Sequence, residues 1–188
     1  MRPMFEEAKK LFGDKPVTGV EVGTSGGENM AEVLKEWKSI EKLYCIDYYP
    51  TYIDFRNSED QELLRSMAIQ KIITHVKSHL VIDKSVDAAK KFADGTFDFV
   101  YIDANHAYDF VRADVLAWMP KIKNGGIIGG HDYDWCDPEN GGEFSVKRAV
   151  DEIFGEKLKY HISLFTHDSK SSSNGVYTGL NSDWWVYA

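Results

Sequence analysis

A strand–helix–strand pattern runs through residues 97–133, FDFVYIDANHAYDFVRADVLAWMPKIKNGGIIGGHDY. Its first apolar run, residues 97–102, predicts a buried strand, and an amphipathic helix follows as far as Pro120. A second apolar run, residues 126–130, predicts the next strand. Elements in this order form a βαβ unit, so the two strands are expected to lie parallel in one sheet.

Four ionisable side chains stand where these two strands end. Asp103 and His106 follow the first strand, and His131 and Asp132 follow the second. Parallel neighbours carry their carboxyl ends to the same edge of a sheet, where open α/β sheets bind their ligands. The sequence therefore predicts a polar cluster with a chemical role at this edge.

The same alternation of strands and helices extends over nearly the whole chain. Apolar runs predict five further strands, at residues 17–22, 43–46, 79–82, 160–166 and 184–187. A helix is expected from Ser85 to Gly95, and the last two runs, with no helical pattern between them, predict an antiparallel hairpin. The expected fold is one α/β domain over residues 1–188. It is doubly wound, with a mostly parallel seven-stranded sheet, helices on both faces and an antiparallel C-terminal strand.

Composition narrows the class of protein. The chain has 188 residues, 43% of them apolar, which is enough for one core. Its net charge of −8 and the lack of a basic stripe argue against a nucleic-acid partner. No apolar run is long enough for a membrane span, and the N-terminus lacks the apolar region of an export signal. Cys45 and Cys136 form no CxxC pair, so a reduced, cytoplasmic compartment is expected.

A glycine cluster follows the first strand, in the segment EVGTSGG at residues 21–27. Glycines let the backbone turn sharply and approach a ligand, although a tight turn alone would also explain them. Asp47 ends the second strand, where an acid can accept hydrogen bonds from a ribose or can cap a turn. Together the turn and the acid indicate a cofactor that contains a nucleoside. The turn lacks the second glycine of GxGxxG, which favours adenosine without a diphosphate.

Four motifs carry a resemblance to a known family: VEVGTSGGENM, CID, FDFVYIDANHAY and GGIIGGHDY. They resemble the class I S-adenosylmethionine-dependent methyltransferases, in particular the small-molecule O-methyltransferases that act on catechols and macrolide sugars. The resemblance extends from residue 17 to residue 187. It implies a Rossmann-like methyltransferase fold and transfer of a methyl group from S-adenosylmethionine to a hydroxyl of a small molecule, of the sugar or phenol type.

The resemblance also assigns roles to residues. It implies a cofactor site formed by Glu21, Gly23, Thr24, Gly27, Asp47, Ser85 and Asp103. In that site Gly23 and Gly27 would border the methionine moiety, Asp47 would hold the ribose, and the region of Ser85 would contact the adenine. His106 would be the general base, a role that suits a histidine with a pKa near neutrality.

In the metal-dependent members of that family a divalent ion binds where this chain has Asp103, His131 and Asp132. Such an ion, Mg²⁺ or Mn²⁺, would polarise the acceptor hydroxyl and orient it toward the methyl group. His131 departs from the pattern, because a carboxylate usually stands there and imidazole suits Mn²⁺, Fe²⁺ or Zn²⁺ better than Mg²⁺. The alternative is that His131 hydrogen-bonds to the substrate or to Asp103.

Acceptor recognition is expected from the aromatic segment 48–55, from the loops 133–144 and 167–181, or from the second subunit of a homodimer. The partner is expected to be a hydroxylated small molecule. Three other functions stay open at this point: a nucleoside-binding protein without methyl transfer, an NAD-dependent oxidoreductase, and a metal-dependent hydrolase.

Overall fold

The computed structural model of the chain describes residues 1–49, 58–134, 145–168 and 176–188. Within these ranges the strands are β1 (Val17–Val22), β2 (Ile40–Asp47), β3 (Ser78–Ile82), β4 (Phe97–Ile102), β5 (Ile122–His131), β6 (Lys159–Asp168) and β7 (Val176–Tyr187). They form one sheet in the order β3-β2-β1-β4-β5-β7-β6. Strands β1 to β5 pair in parallel, whereas β7 is antiparallel to both β5 and β6. The predicted fold class is confirmed.

Helices cover both faces of this sheet. They are α1 (Pro3–Phe12), α2 (Glu28–Glu36), α3 (Ser58–Thr74), α4 (Ser85–Ala89), α5 (Tyr108–Trp118) and α6 (Ser145–Phe154). Helices α1 and α2 enclose one core, in which Phe5 and Trp37 pack against Phe99. Helices α4, α5 and α6 enclose the other, which contains Trp118 and Trp184. The two cores explain the apolar periodicity of α1, α2, α5 and α6, because each of these helices buries one side against the sheet.

Helix α1 was not apparent from the sequence pattern. Its residues Met4 and Phe5 are almost completely buried, and the Phe5 ring lies 4.4 Å from the Tyr101 ring between centroids. Asp183, on β7, accepts a hydrogen bond from the Met4 N–H at 2.9 Å. The helix therefore owes its place to contacts with strands that are distant in sequence.

The prediction of a helix from Ser85 to Gly95 was too long, since α4 ends at Ala89. Beyond it Phe92 leaves the helical path and packs its ring against Phe97 at 5.0 Å between centroids. The helix thus ends where Phe92 packs its ring into the core instead of continuing the helical path.

Other element limits also depend on tertiary pairing. Strand β5 begins at Ile122 rather than at residue 126, with a shift in its register to β4 across the glycines. Strand β7 begins well before residue 184, because its first part pairs with β6 alone, beyond the end of β5. No described helix combines the length and the apolar content that crossing a membrane requires. Cys45 is a buried free thiol, and Cys136 lies outside the described residues.

Asp114 places a carboxyl group inside the core formed by α4 and α5. Its side chain is 5% exposed, and the hydroxyl of Ser85 is its hydrogen-bond partner. Burial raises the pKa of Asp114 to about 6, and the hydrogen bond from Ser85 opposes the rise only in part. The carboxylate form is therefore unfavourable in the folded chain.

We expect Asp114→Asn to raise the Tm at pH 7.5. Because the folded-state pKa lies above the ordinary value, the protonated acid stabilises the fold at low pH. That contribution is lost as the pH rises through about 6. An amide avoids the buried charge, and we expect it to add about 1–3 kcal/mol to the free energy of unfolding at pH 7.5. Thermal unfolding at pH 7.5 and 4.5 checks this, since the gain should shrink at the lower pH. An equal gain at both pH values would contradict it.

The order of the strands places a crevice at the centre of the sheet. The chain goes from β1 outward to β2 and β3, and then returns to β4 on the other side of β1. The loops that follow β1 and β4 therefore diverge at the carboxyl edge, and ligands of open α/β sheets bind at such a switch point.

Candidate active site

The turn after β1 brings the backbone against the end of β4. Gly23 has a φ of +93°, and a Cβ at this position would lie 1.9 Å from the carbonyl oxygen of Asp103. Its N–H donates to the carbonyl of Ile46 at 2.8 Å, which ties the turn to β2 as well. Gly27, with a φ of +77°, leads into α2. A side chain at Gly23 would separate β1 from β4, so the sequence requires glycine there.

Glu21 lies buried beneath this turn with one oxygen unsatisfied. The side chain is 2% exposed, and its Oε1 accepts a hydrogen bond from Asn29 Nδ2 at 2.6 Å. Its Oε2 has no hydrogen-bond partner among the described residues. Burial raises the pKa of Glu21 to about 8. A buried carboxyl oxygen without a partner is costly, and a donor from a ligand would satisfy it.

Asp47 links the end of β2 to the glycine turn. Its Oδ2 accepts the N–H of Ser25 at 2.8 Å, and its Oδ1 accepts the N–H of Tyr49 at 3.2 Å. The hydroxyl of Tyr49 donates in turn to the carbonyl of Ser25 at 2.8 Å. The carboxylate is thereby held, half-buried, between the ends of β1 and β2.

Left-handed backbone conformations concentrate at this edge. Ser25, Tyr49 and Asp132 are the non-glycine residues of the described chain with positive φ, at 50°, 45° and 56°. They follow β1, β2 and β5 respectively. Residues held in this region of φ/ψ space cost free energy and cluster at ligand sites, so the three support a binding role for the carboxyl edge.

The four polar residues predicted to meet at the ends of β4 and β5 do so. His106 Nε2 lies 2.8 Å from Asp132 Oδ2 and 3.7 Å from Asp103 Oδ1. His131 Nδ1 lies 2.8 Å from Asp132 Oδ1. His106 therefore stands between two carboxylates, and each histidine contacts the acid that follows β5.

These contacts shift the proton affinities of the group. Burial alone would lower the pKa of His106, but its ion pairs with Asp103 and Asp132 outweigh burial and raise that pKa to about 10. Burial alone would raise the pKa of Asp132, but its contacts with His106 and His131 outweigh burial and hold that pKa well below its usual range. His106 is thus an imidazolium at neutral pH, and the near-neutral pKa expected from the sequence is wrong. The cause is the pair of acids, which the tertiary structure supplies.

Asp103, His131 and Asp132 offer a set of donors for a cation. One ligand atom from each can be chosen so that all lie within 4.8 Å of one another, and all three side chains are partly buried. Two carboxylates and an imidazole match the ligand preferences of Mn²⁺ more closely than those of Mg²⁺.

Arg2 also reaches the cluster, and sequence reasoning missed it. Its Nη2 lies 3.4 Å from Asp103 Oδ2, and its guanidinium carbon lies 6.0 Å from the centre of the Tyr101 ring. Asp183, fully buried beside it, accepts hydrogen bonds from the Met4 N–H at 2.9 Å and the Tyr101 hydroxyl at 3.1 Å. No signal near residue 2 indicates this placement, because it depends on how α1 packs against β4 and β7.

The remaining predicted residues lie in different settings. Thr24 is buried within the glycine turn. The hydroxyl of Ser85 accepts a hydrogen bond from Trp118 Nε1 at 2.9 Å and is bonded to Asp114, so it contacts α5. The expected contact between the region of Ser85 and the adenine stays a prediction. Of the segments expected to recognise an acceptor, residues 50–57, 135–144 and 169–175 lie outside the described residues.

Solved structures share this fold at low sequence identity. A protein from Clostridium thermocellum, provisionally described as an rRNA methylase, has a TM-score of 0.63 at 13% identity, covering 100% of this chain and 98% of that one. The O-methyltransferase TomG from Streptomyces achromogenes, involved in tomaymycin synthesis and solved with SAM, has a TM-score of 0.59 at 13% identity. That match covers 97% of this chain and 79% of TomG.

Spermidine synthase from Thermotoga maritima is also similar, with a TM-score of 0.58 at 18% identity. The match covers 97% of this chain, which spans only 59% of the synthase. A comparison with curated proteins gave no significant match.

A family comparison goes further than the fold. The family model of a methyltransferase domain matches residues 20–133, more than half of the 188 residues. The matched segment begins in β1 and ends just after Asp132, so it contains the glycine turn, Asp47 and the polar cluster. By its sequence and its sheet, this chain belongs to the methyltransferase domain family.

Proposed function

We propose that the chain binds S-adenosylmethionine and transfers its methyl group to a hydroxyl of a small molecule, of the sugar or phenol type. One observation carries the proposal: the sheet edge that holds the glycine turn and Asp47 also holds His106 between two carboxylates. The proposed nucleoside site and a group able to exchange a proton would thus lie side by side. Membership of the methyltransferase domain family supports this reaction.

The residues present fit the cofactor. Gly23 packs its backbone directly against Asp103, and this close approach brings the glycine turn and the end of β4 together at one edge of the site. The unsatisfied Oε2 of Glu21 can accept a donor such as the ammonium group of a methionine moiety. Gly27, Thr24 and Asp103 would complete that end of the site, and Asp47 would accept the ribose hydroxyls. When bound, S-adenosylmethionine supplies a methyl group on a positively charged sulfur, which is open to attack by oxygen.

The protein's part in such a transfer is to align the acceptor, exclude water and take up one proton. His106 is the group proposed to take up the proton from the acceptor hydroxyl. Because Asp103 and Asp132 raise its pKa to about 10, His106 has to release its own proton before it can act as the base.

Asp103, His131 and Asp132 would hold a divalent cation, and their mixed oxygen and nitrogen donors suit Mn²⁺ better than Mg²⁺. Such an ion would polarise the acceptor hydroxyl and lower its pKa. If instead no ion takes part, His131 and Asp132 orient His106 by themselves, through the contacts already described.

The decisive experiment has a binding part and a transfer part. Thermal shift with S-adenosylhomocysteine and with NADH, each at saturating concentration, should show stabilisation by the first and not by the second. Consumption of S-adenosylmethionine over a panel of sugars and phenols, with and without EDTA, then tests transfer and the need for an ion. Stabilisation by NADH alone would favour an oxidoreductase. Binding without transfer to any acceptor would favour a nucleoside-binding protein, and substrate hydrolysis without the donor would favour a hydrolase.

Asp47→Asn is expected to weaken binding of S-adenosylhomocysteine by about 10- to 100-fold, as measured by calorimetry. Hydrogen bonds to a charged group contribute about 1.5–3 kcal/mol, and the amide retains one acceptor oxygen where the carboxylate has two. Asp98→Asn is the matched control. Asp98 likewise accepts a backbone N–H, that of Thr18 at 2.8 Å, but it stands at the opposite edge of the sheet. If Asp47→Asn bound S-adenosylhomocysteine with unchanged affinity, Asp47 would not be the residue that binds the ribose.

A further inference from the structure

The candidate cation donors already contact basic side chains of the chain itself. Asp103 Oδ2 faces Arg2 at 3.4 Å, and Asp103 Oδ1 faces His106 at 3.7 Å. Asp132 has His106 at 2.8 Å on one oxygen and His131 at 2.8 Å on the other. Basic side chains of the protein therefore already face the carboxylates that an ion would need.

Arg2 differs from the histidines because it cannot become a ligand of the ion. An imidazole can lose its proton and become a ligand, whereas a guanidinium stays charged at every pH at which proteins fold and never donates a lone pair to a metal. Arg2 is 27% exposed in its side chain and projects from the first residues of the chain. Its side chain can leave Asp103 without disturbing the sheet, because the hydrogen bond from the Met4 N–H to Asp183 on β7 holds α1 in place. Asp183 is held in turn by the hydroxyl of Tyr101 on β4.

We propose that Arg2 and a divalent cation compete for Asp103. While Arg2 is in place, it occupies one oxygen of Asp103 and repels a second positive charge nearby. When the ion binds to Asp103, His131 and Asp132, the guanidinium has to move away from that carboxylate. Arg2 thereby raises the concentration of the ion at which the site fills.

This inference rests on the proposed function only in taking the same polar cluster as the site. Its test measures binding of the ion alone, whereas the proposed function is tested with a sulfonium compound and an acceptor. Either can therefore fail while the other stands.

The experiment titrates Mn²⁺ into the full chain at pH 7.5 and low salt, and follows the free ion by electron paramagnetic resonance. Arg2→Gln should bind Mn²⁺ at least about tenfold more tightly than the wild-type chain, because a unit charge within a few ångströms of the ion is removed. Arg2→Lys, which keeps the charge, should bind more weakly than Arg2→Gln. Circular dichroism confirms that each variant folds.

Two controls make the result specific. Lys10→Gln changes the net charge by the same amount, but Lys10 is exposed at the far end of α1 and pairs with Glu7. It should leave the affinity for Mn²⁺ unchanged. Arg2→Gln combined with Asp132→Asn should lose the tight binding, which places the ion in the cluster.

The proposal is overturned if Arg2→Gln binds Mn²⁺ no more tightly than the wild-type chain, or if Lys10→Gln has the same effect. Failure of Arg2→Gln to bind Mn²⁺ at all also overturns it, since the competition requires a site for the ion once the guanidinium is gone.

Discussion

Gly23→Ala is expected to abolish binding of S-adenosylhomocysteine and to lower the Tm by about 10 °C. The new Cβ would lie 1.9 Å from the carbonyl oxygen of Asp103, a backbone atom that cannot rotate away. Forced overpacking costs about 1–3 kcal/mol, and alanine in a left-handed conformation costs about 1–2 kcal/mol more. In a chain of this size each kcal/mol lowers the Tm by about 2–4 °C. The turn and the end of β4 must separate, which displaces both sides of the cofactor site.

Gly95→Ala is the matched control, because it introduces the strain of alanine at a positive φ without a collision of the new Cβ. Gly95 also has a positive φ, of +65°, but a Cβ there would meet nothing within 4 Å. This variant should lose a little stability and keep its affinity for S-adenosylhomocysteine. Calorimetry and thermal unfolding of the two variants measure the difference. Wild-type affinity in a folded Gly23→Ala variant would rule out the proposed approach of the ligand to this turn.

His106→Gln is expected to reduce kcat for methyl transfer by about 10²–10⁴-fold, the usual contribution of a positioned acid or base. Glutamine can still donate to Asp103 and Asp132, so the fold and the affinity for S-adenosylhomocysteine should be unchanged. His161→Gln, on an exposed histidine of β6, is the matched control and should have no effect on kcat. Near wild-type kcat in His106→Gln would show that another group takes up the proton.

The pH dependence of kcat/KM should also report the role of His106 as the general base. A general base acts only when it is deprotonated, and the pKa of His106 is raised to about 10 by its two carboxylates. We therefore expect kcat/KM to rise with pH, by about tenfold for each unit below that pKa, and the rise to be absent in His106→Gln. A flat profile for the wild-type chain between pH 7 and 9 would contradict the role of His106 as the base.

Much of the site could be predicted because it depends on the order of residues along the chain. Asp103, His131 and Asp132 directly follow apolar strands, and parallel pairing of those strands brings the three together whatever the details of packing. Gly23 and Asp47 are placed by the same rule, at the ends of β1 and β2. Local periodicity likewise was enough to predict most of the strands and the amphipathic helix between β4 and β5.

Other features required the folded chain, because the groups involved are far apart in sequence. Arg2 reaches Asp103 only through the docking of α1, and Met4 is bonded to Asp183, 179 residues later. The raised pKa of His106 comes from Asp103, three residues before it, and from Asp132, which follows a different strand. Periodicity and spacing determine which residues reach the edge of the sheet. Only the tertiary structure decides which charges face each other there, because ion pairing depends on distances of a few ångströms that no local pattern encodes.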